Sequence, residues 1–187
     1  MNQAASNREP KFGFLSIFEI PTLGFCGGLL VLSAKGRPLE FHCTTPTSAN
    51  EAQRILYGQT LRPFLFCDQI GQALIQKARA NLDLIVSANR EITGLNETFN
   101  IPVVWLPELE EKSTQSVQSE TSPQADSPNT IGSQIAIREQ TLQIVTNSAQ
   151  DLERVENLVR DFVETLPLIE PFERIQQAIS AAHKVAA

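Results

Sequence analysis

The 187-residue sequence is poor in the residues on which many catalytic and secreted scaffolds depend. It has two histidines, three cysteines, one methionine, one tryptophan and one tyrosine. Cys26, Cys43 and Cys67 are odd in number and irregular in spacing, which excludes a disulfide framework and points to a reducing cytoplasm. The phosphate cradle Gly-x-x-x-x-Gly-Lys-Ser/Thr, the nucleophile elbow Gly-x-Ser-x-Gly and the zinc pair His-Glu-x-x-His are all missing. Positive charge is scarce too, with 15 Lys and Arg against 21 Asp and Glu, a net charge of −6. Arg62, Lys77, Arg79 and Arg90 are scattered rather than clustered, so no nucleic-acid partner is expected.

Long apolar runs are also lacking. Residues 12–34 come nearest, but Glu19 and Pro21 interrupt them, and Gly24, Gly27 and Gly28 follow. A charge at the centre of a span costs about 2.5–3.5 kcal/mol, and the pieces left on either side are too short to cross a bilayer. Neither a membrane partner nor a signal peptide is therefore expected.

What is present is a meander. Hydrophobic residues make up 42% of the chain, enough to fill one core at this length. Phe12 to Thr45 read as three antiparallel strands separated by Pro21-Thr22-Leu23-Gly24 and Ala34-Lys35-Gly36-Arg37. A two-residue loop at the second turn pairs Leu32 with Leu39, Leu30 with Phe41 and Gly28 with Cys43. The first turn then pairs Leu15 with Leu30 and Ile17 with Gly28. Side chains alternate along a strand. One face thus collects Leu15, Ile17, Leu30, Leu32, Leu39, Phe41 and Cys43, and the other carries Glu40, His42 and Thr44.

Beyond the meander, Ser48-Ala49-Asn50-Glu51 has the form of a capping box, and Gly58 suits a helix end. Ile70, Ala73, Leu74 and Lys77 recur at helical spacing. Residues 82–86, a helix opened by Asn89, and residues 101–106 make a compact parallel βαβ unit. A hairpin at 134–146 is expected to join the sheet. Leu152, Val155, Val159 and Phe162, then Phe172, Ile175 and Ile179, mark two amphipathic C-terminal helices. Residues 112–130, rich in Ser, Thr, Gln and Pro, hold one large apolar residue, Val117. They cannot offset their own ordering entropy, so disorder is predicted there and over the polar residues 1–10.

The expected fold is α+β: a mixed sheet built on an N-terminal antiparallel β-meander, with amphipathic helices including two at the C-terminus. Residues 11–187 read as a single domain interrupted at 112–130.

Chemistry is harder to place. Gly27-Gly28 precedes no helix and so reads as close strand packing rather than a dinucleotide fingerprint. His42 and Cys43 are strand neighbours, point to opposite faces and cannot form a nucleophilic pair. Cys43 is expected in the core. The cysteines form no complete metal set, and no metal, cofactor or catalytic residue is assigned. Glu40, His42 and Thr44 are the candidate ligand-binding row, with partial cover expected from the C-terminal helices. The turn Gly36-Arg37-Pro38-Leu39 resembles those in the hairpins of roadblock and longin domains, which implies an interaction role. The function expected from these observations is a non-catalytic, cytoplasmic protein-interaction or scaffold module, partnered by another protein or by itself. The alternative is a small-ligand or metal-binding protein.

Overall fold

The computed structural model describes residues 8–109, 131–137, 140–146 and 148–185. The strands are β1 (Lys11–Ile20), β2 (Gly24–Ser33), β3 (Pro38–Cys43), β4 (Leu84–Ser87), β5 (Val103–Trp105), β6 (Ile131–Ile137) and β7 (Gln140–Thr146). They form one mixed sheet in the order β3-β2-β1-β4-β5-β7-β6. The meander is antiparallel, β4 runs parallel to β1, and β5 runs parallel to β4. The late hairpin joins the sheet antiparallel through β7. The α+β class, the meander and the parallel βαβ unit are as read from the sequence. The insertion at 112–130 lies outside the described residues.

Helices cover both faces of the sheet. On one face lie α5 (Ala149–Thr165) and α6 (Glu170–Val185), whose Val155, Val159, Phe162, Ile175 and Ile179 pack on Phe12, Phe14, Leu30 and Val86. The other face carries α1 (Glu51–Tyr57), α2 (Leu61–Pro63), a π-helical stretch (Phe64–Gly71), α3 (Gln72–Lys77) and, beyond a 3₁₀ turn at Arg90–Gly94, α4 (Leu95–Phe99). Leu65, Ile70, Leu74 and Ile92 meet Leu15, Ile17, Leu29 and Val31 there.

Gly27 and Gly28 sit where the two layers press hardest on β2, one glycine toward each layer. A Cβ on Gly27 would lie 2.2 Å from Ile70 Cγ2, and one on Gly28 would lie 2.5 Å from Ile175 Cγ2. The pair is therefore a packing device, and Gly28 stands opposite Cys43 as expected.

Several expectations are corrected. β1 is slipped by one residue: Leu15 pairs with Leu29 and Ile17 with Gly27. The loop holds three residues, Pro21 to Leu23, and Thr22 takes a positive φ of 69°. Because both faces of β1 and β2 are covered, apolar residues stand on both faces and the alternation carries little register information. The β2–β3 register holds up to Val31, after which a bulge places Pro38 opposite Leu32. Leu39 and Phe41 do not look into the core. They are 47% and 40% exposed, and Cys43 is exposed as well. β3 is an edge strand, and α5 and α6 stop short of it.

The capping box is framed two residues later than predicted. Asn50 Oδ1 accepts from Gln53 N at 2.8 Å, and Gln53 Oε1 accepts from Asn50 N at 3.1 Å. Gly58 ends α1 as predicted. Among the described residues, no helix is long and apolar enough to cross a membrane.

Candidate functional site

Two places in this fold are where a ligand would be sought. The first follows from topology. From β1 the chain turns to β2 and β3 on one side, then crosses to β4 on the other, so the carboxyl ends of β1 and β4 form a switch point. Ligands of open α/β sheets bind in such crevices.

Here the crevice is closed. The parallel ladder ends at Leu15 and Ser87, and Asn89 then extends it with its side chain, Oδ1 accepting from Ile17 N at 2.8 Å. Ser87 Oγ accepts from Asn89 N at 3.0 Å and donates to Asn89 O at 3.1 Å. Both residues are buried, as is nearby Ser16. Asn89 does precede the Arg90–Gly94 turn, but its side chain caps nothing there. Beside it, Glu91 pairs with Arg62, the Arg62 guanidinium lies 4.7 Å from the Phe66 ring centroid, and that of Arg90 lies 5.8 Å from the Trp105 ring centroid.

The second place is the open edge at β3. Helix α3 ends where Ala78 turns extended, at ψ 130°. This turn directs Arg79 N onto Glu40 Oε2 at 2.9 Å. The same oxygen meets His42 Nε2 at 2.9 Å. The hydrogen bond from His42 first, then that from the Arg79 amide, holds the Glu40 carboxyl below its ordinary pKa. Glu40, Phe41, His42, Lys77 and Arg79 line an open cleft of about 560 Å³. Lys77 and Arg79 are exposed, and neither is ion-paired among the described residues.

Of the predicted row, Glu40 and His42 are brought together, and the cover over them comes from the end of α3, not from the C-terminal helices. Thr44 stands apart from them. Its amide donates to Gly27 O at 3.0 Å, and its hydroxyl accepts from Gly27 N at 3.0 Å, continuing the sheet. Lys77 and Arg79 were legible only as a basic helix end, since nothing local links them to a strand some 37 residues earlier.

The cysteines do not converge. Cys26 lies under α5 and α6, whereas Cys67 lies in the opposite layer. Burial raises both thiols, Cys67 to about 12, so each stays protonated at neutral pH. Cys26 Sγ donates to Thr44 O at 3.1 Å.

The depressed Glu40 pKa has a pH consequence. The unfolded carboxyl titrates near ~4.3. Stability from the Glu40 contacts is therefore complete above that value and fades as pH falls through the lower folded pKa. Glu40→Gln should be less stable than wild type at pH 7, with the gap narrowing toward pH 3 in urea titrations. A gap that stays constant across this range would refute the linkage.

No family model matches the sequence, and no curated protein matches it. Among solved structures, the fold is similar to that of the catalytic domain of human Endonuclease V, with a TM-score of 0.54 at 10% identity over 95% of this chain and 85% of that one. It is also similar to Ciona intestinalis Endonuclease V in complex with a 23mer DNA containing an inosine followed by a ribo-adenosine. There the TM-score is 0.51 at 9% identity, covering 94% of this chain and 87% of the other. Likeness at these identities is a likeness of fold.

It nevertheless overturns the functional expectation. Nearly the whole chain takes the fold of enzymes that cleave nucleic acid, so the non-catalytic interaction or scaffold module, the protein-only partnership and the exclusion of nucleic acid are withdrawn. Net charge could not exclude such a partner, because it averages over a surface, while a binding cleft needs only a few local cations.

Many nucleases hold two divalent cations on carboxylates that bridge the attacking and leaving oxygens. The residues here do not fit such a centre. Among the described residues no group of three or more His, Cys, Asp or Glu side chains could hold a metal ion. At the switch point stand Ser16, Ser87 and Asn89, which carry no charge.

Proposed function

We propose that the protein binds single-stranded nucleic acid along the β3 edge, with the phosphate backbone against Lys77 and Arg79. The observation that carries this reading is the nuclease fold, shared over nearly the whole chain with a protein solved on DNA. The cleft supplies what that ligand needs. Lys77 and Arg79 are exposed, their side chains ion-paired to no carboxylate among the described residues, and Phe41, 40% exposed, offers an aromatic ring on which an unpaired base can stack. With a net charge of −6 the protein has no long-range attraction for nucleic acid, so binding is local. Three unpaired thiols suit a reducing cytoplasm, where we place the protein.

Fluorescence anisotropy with labelled single-stranded RNA, single-stranded DNA and duplexes, between 50 and 200 mM salt, tests the reading. Single strands should bind with a log–log salt slope of about −1.4, the value for two phosphate contacts. Lys77→Glu and Arg79→Glu should each weaken binding and reduce the magnitude of the slope by about 0.7. The proposal is lost if nothing binds at 50 mM salt, or if neither reversal affects binding.

A further inference from the structure

We infer that the β3-edge cleft cleaves RNA without a metal ion, by transesterification, with His42 as the general base. The inference rests on the nucleic-acid reading above and adds a reaction and a substrate class to it. It starts from an apparent contradiction. The fold belongs to nucleases, yet the described residues offer no carboxylate cradle for a cation at the switch point. RNA needs no cation to be cut, because it carries its own nucleophile. The ribose 2′-hydroxyl can attack the adjacent phosphorus once a base takes its proton.

The cleft holds the groups this reaction requires. Glu40 is held ionised, so its Oε2 can only accept hydrogen bonds. Its 2.9 Å contact with His42 Nε2 is then an Nε2–H donation, which in the neutral imidazole places the lone pair on Nδ1. Nδ1 makes no hydrogen bond among the described residues. An imidazole oriented by a carboxylate, with its other nitrogen unused, is the arrangement of a positioned general base. Lys77 and Arg79 line the same cleft and supply positive charge for the phosphorane. Arg79 is further anchored through its own amide to Glu40.

The step balances without a co-reactant. His42 Nδ1 takes the 2′-hydroxyl proton, the 2′-oxygen bonds to phosphorus, and the P–O5′ bond breaks. One fragment ends in a 2′,3′-cyclic phosphate. The departing 5′-oxygen takes a proton from solvent and His42 returns to solvent the one it accepted, so protons balance and the starting state is restored. No water is consumed and nothing is oxidised. Glu40 touches neither the proton nor the phosphate and is a positioning residue.

The test uses the full chain, a 5′-labelled single-stranded RNA and the same strand with 2′-deoxyribose throughout, both in excess EDTA. The RNA should be cut to fragments ending in 2′,3′-cyclic phosphate, identified by mass, and the deoxy strand should be bound but left whole. His42→Ala and His42→Gln, purified identically and shown by thermal melting to be folded, should each lose at least about 100-fold in rate. Glu40→Gln should lower kcat with little change in KM, a split that a purely structural role would not produce. Binding of RNA without EDTA-resistant cleavage, cleavage equal in both His42 variants, or 5′-phosphate products would each overturn the inference while leaving nucleic-acid binding intact. Failure to bind either strand would remove both proposals.

Discussion

Phe162→Ala should lower the free energy of unfolding by about 3–5 kcal/mol, the range for removing a fully buried phenyl ring. Phe162 is 1% exposed and closes the apolar stripe of α5. Its ring centroid lies 4.7 Å from that of Phe12 and 5.3 Å from that of Phe14, and Phe14 in turn meets Phe172 of α6 edge-on at 5.6 Å. Phe162 thus ties α5 to the central strand β1, and Phe14 receives a ring from each C-terminal helix. The cavity cannot collapse easily, because Phe12 and Phe14 are held by the ladders to β2 and β4. Phe162→Leu, which keeps most of the volume, should cost far less. Urea unfolding read by circular dichroism measures both. A loss below about 1 kcal/mol for the alanine variant would mean that α5 does not pack on β1 as described.

Asn89→Ala should have the next largest effect, about 1–3 kcal/mol, through a different mechanism. The truncation removes the acceptor of Ile17 N–H in a buried setting, where a donor left unpaired is costly. The Ser87–Asn89 contacts through backbone atoms survive, so the damage is confined to one donor. Asn89→Asp retains an oxygen at the same place and should recover part of the loss. A local readout separates this from general loosening: amide exchange at Ile17 should accelerate more than at Phe14, whose ladder partners are untouched. Equal acceleration at both positions would show that Asn89 acts on the whole sheet rather than at the switch point.

The same residue shows why the site was harder to read than the fold. Asn89 stands just after an apolar strand and just before a helical turn, which in sequence is the position of an N-cap. Whether its side chain caps that turn or reaches across to β1 depends on a strand some 70 residues earlier. Glu40 and His42 were legible as a pair because they alternate on one strand. Lys77 and Arg79, which complete their cleft, were visible only as charges at a helix end. Thr44 continues the same alternation, yet the chain leaves the regular ladder after Cys43, and the Thr44 hydroxyl turns to Gly27.

The sequence by itself determined the elements whose signals are local. These are the meander, the parallel βαβ unit and the amphipathic stripes of α5 and α6, each dictated by side-chain periodicity and by the few residues that tolerate a turn. Only the tertiary structure decided which faces are covered, and with that the register of β1, the exposure of Leu39 and Phe41, and the meeting of Glu40 with Arg79. The physical reason is that a strand buried on both sides is apolar throughout, so its own pattern cannot say where its neighbours lie or which helix end will cross its edge.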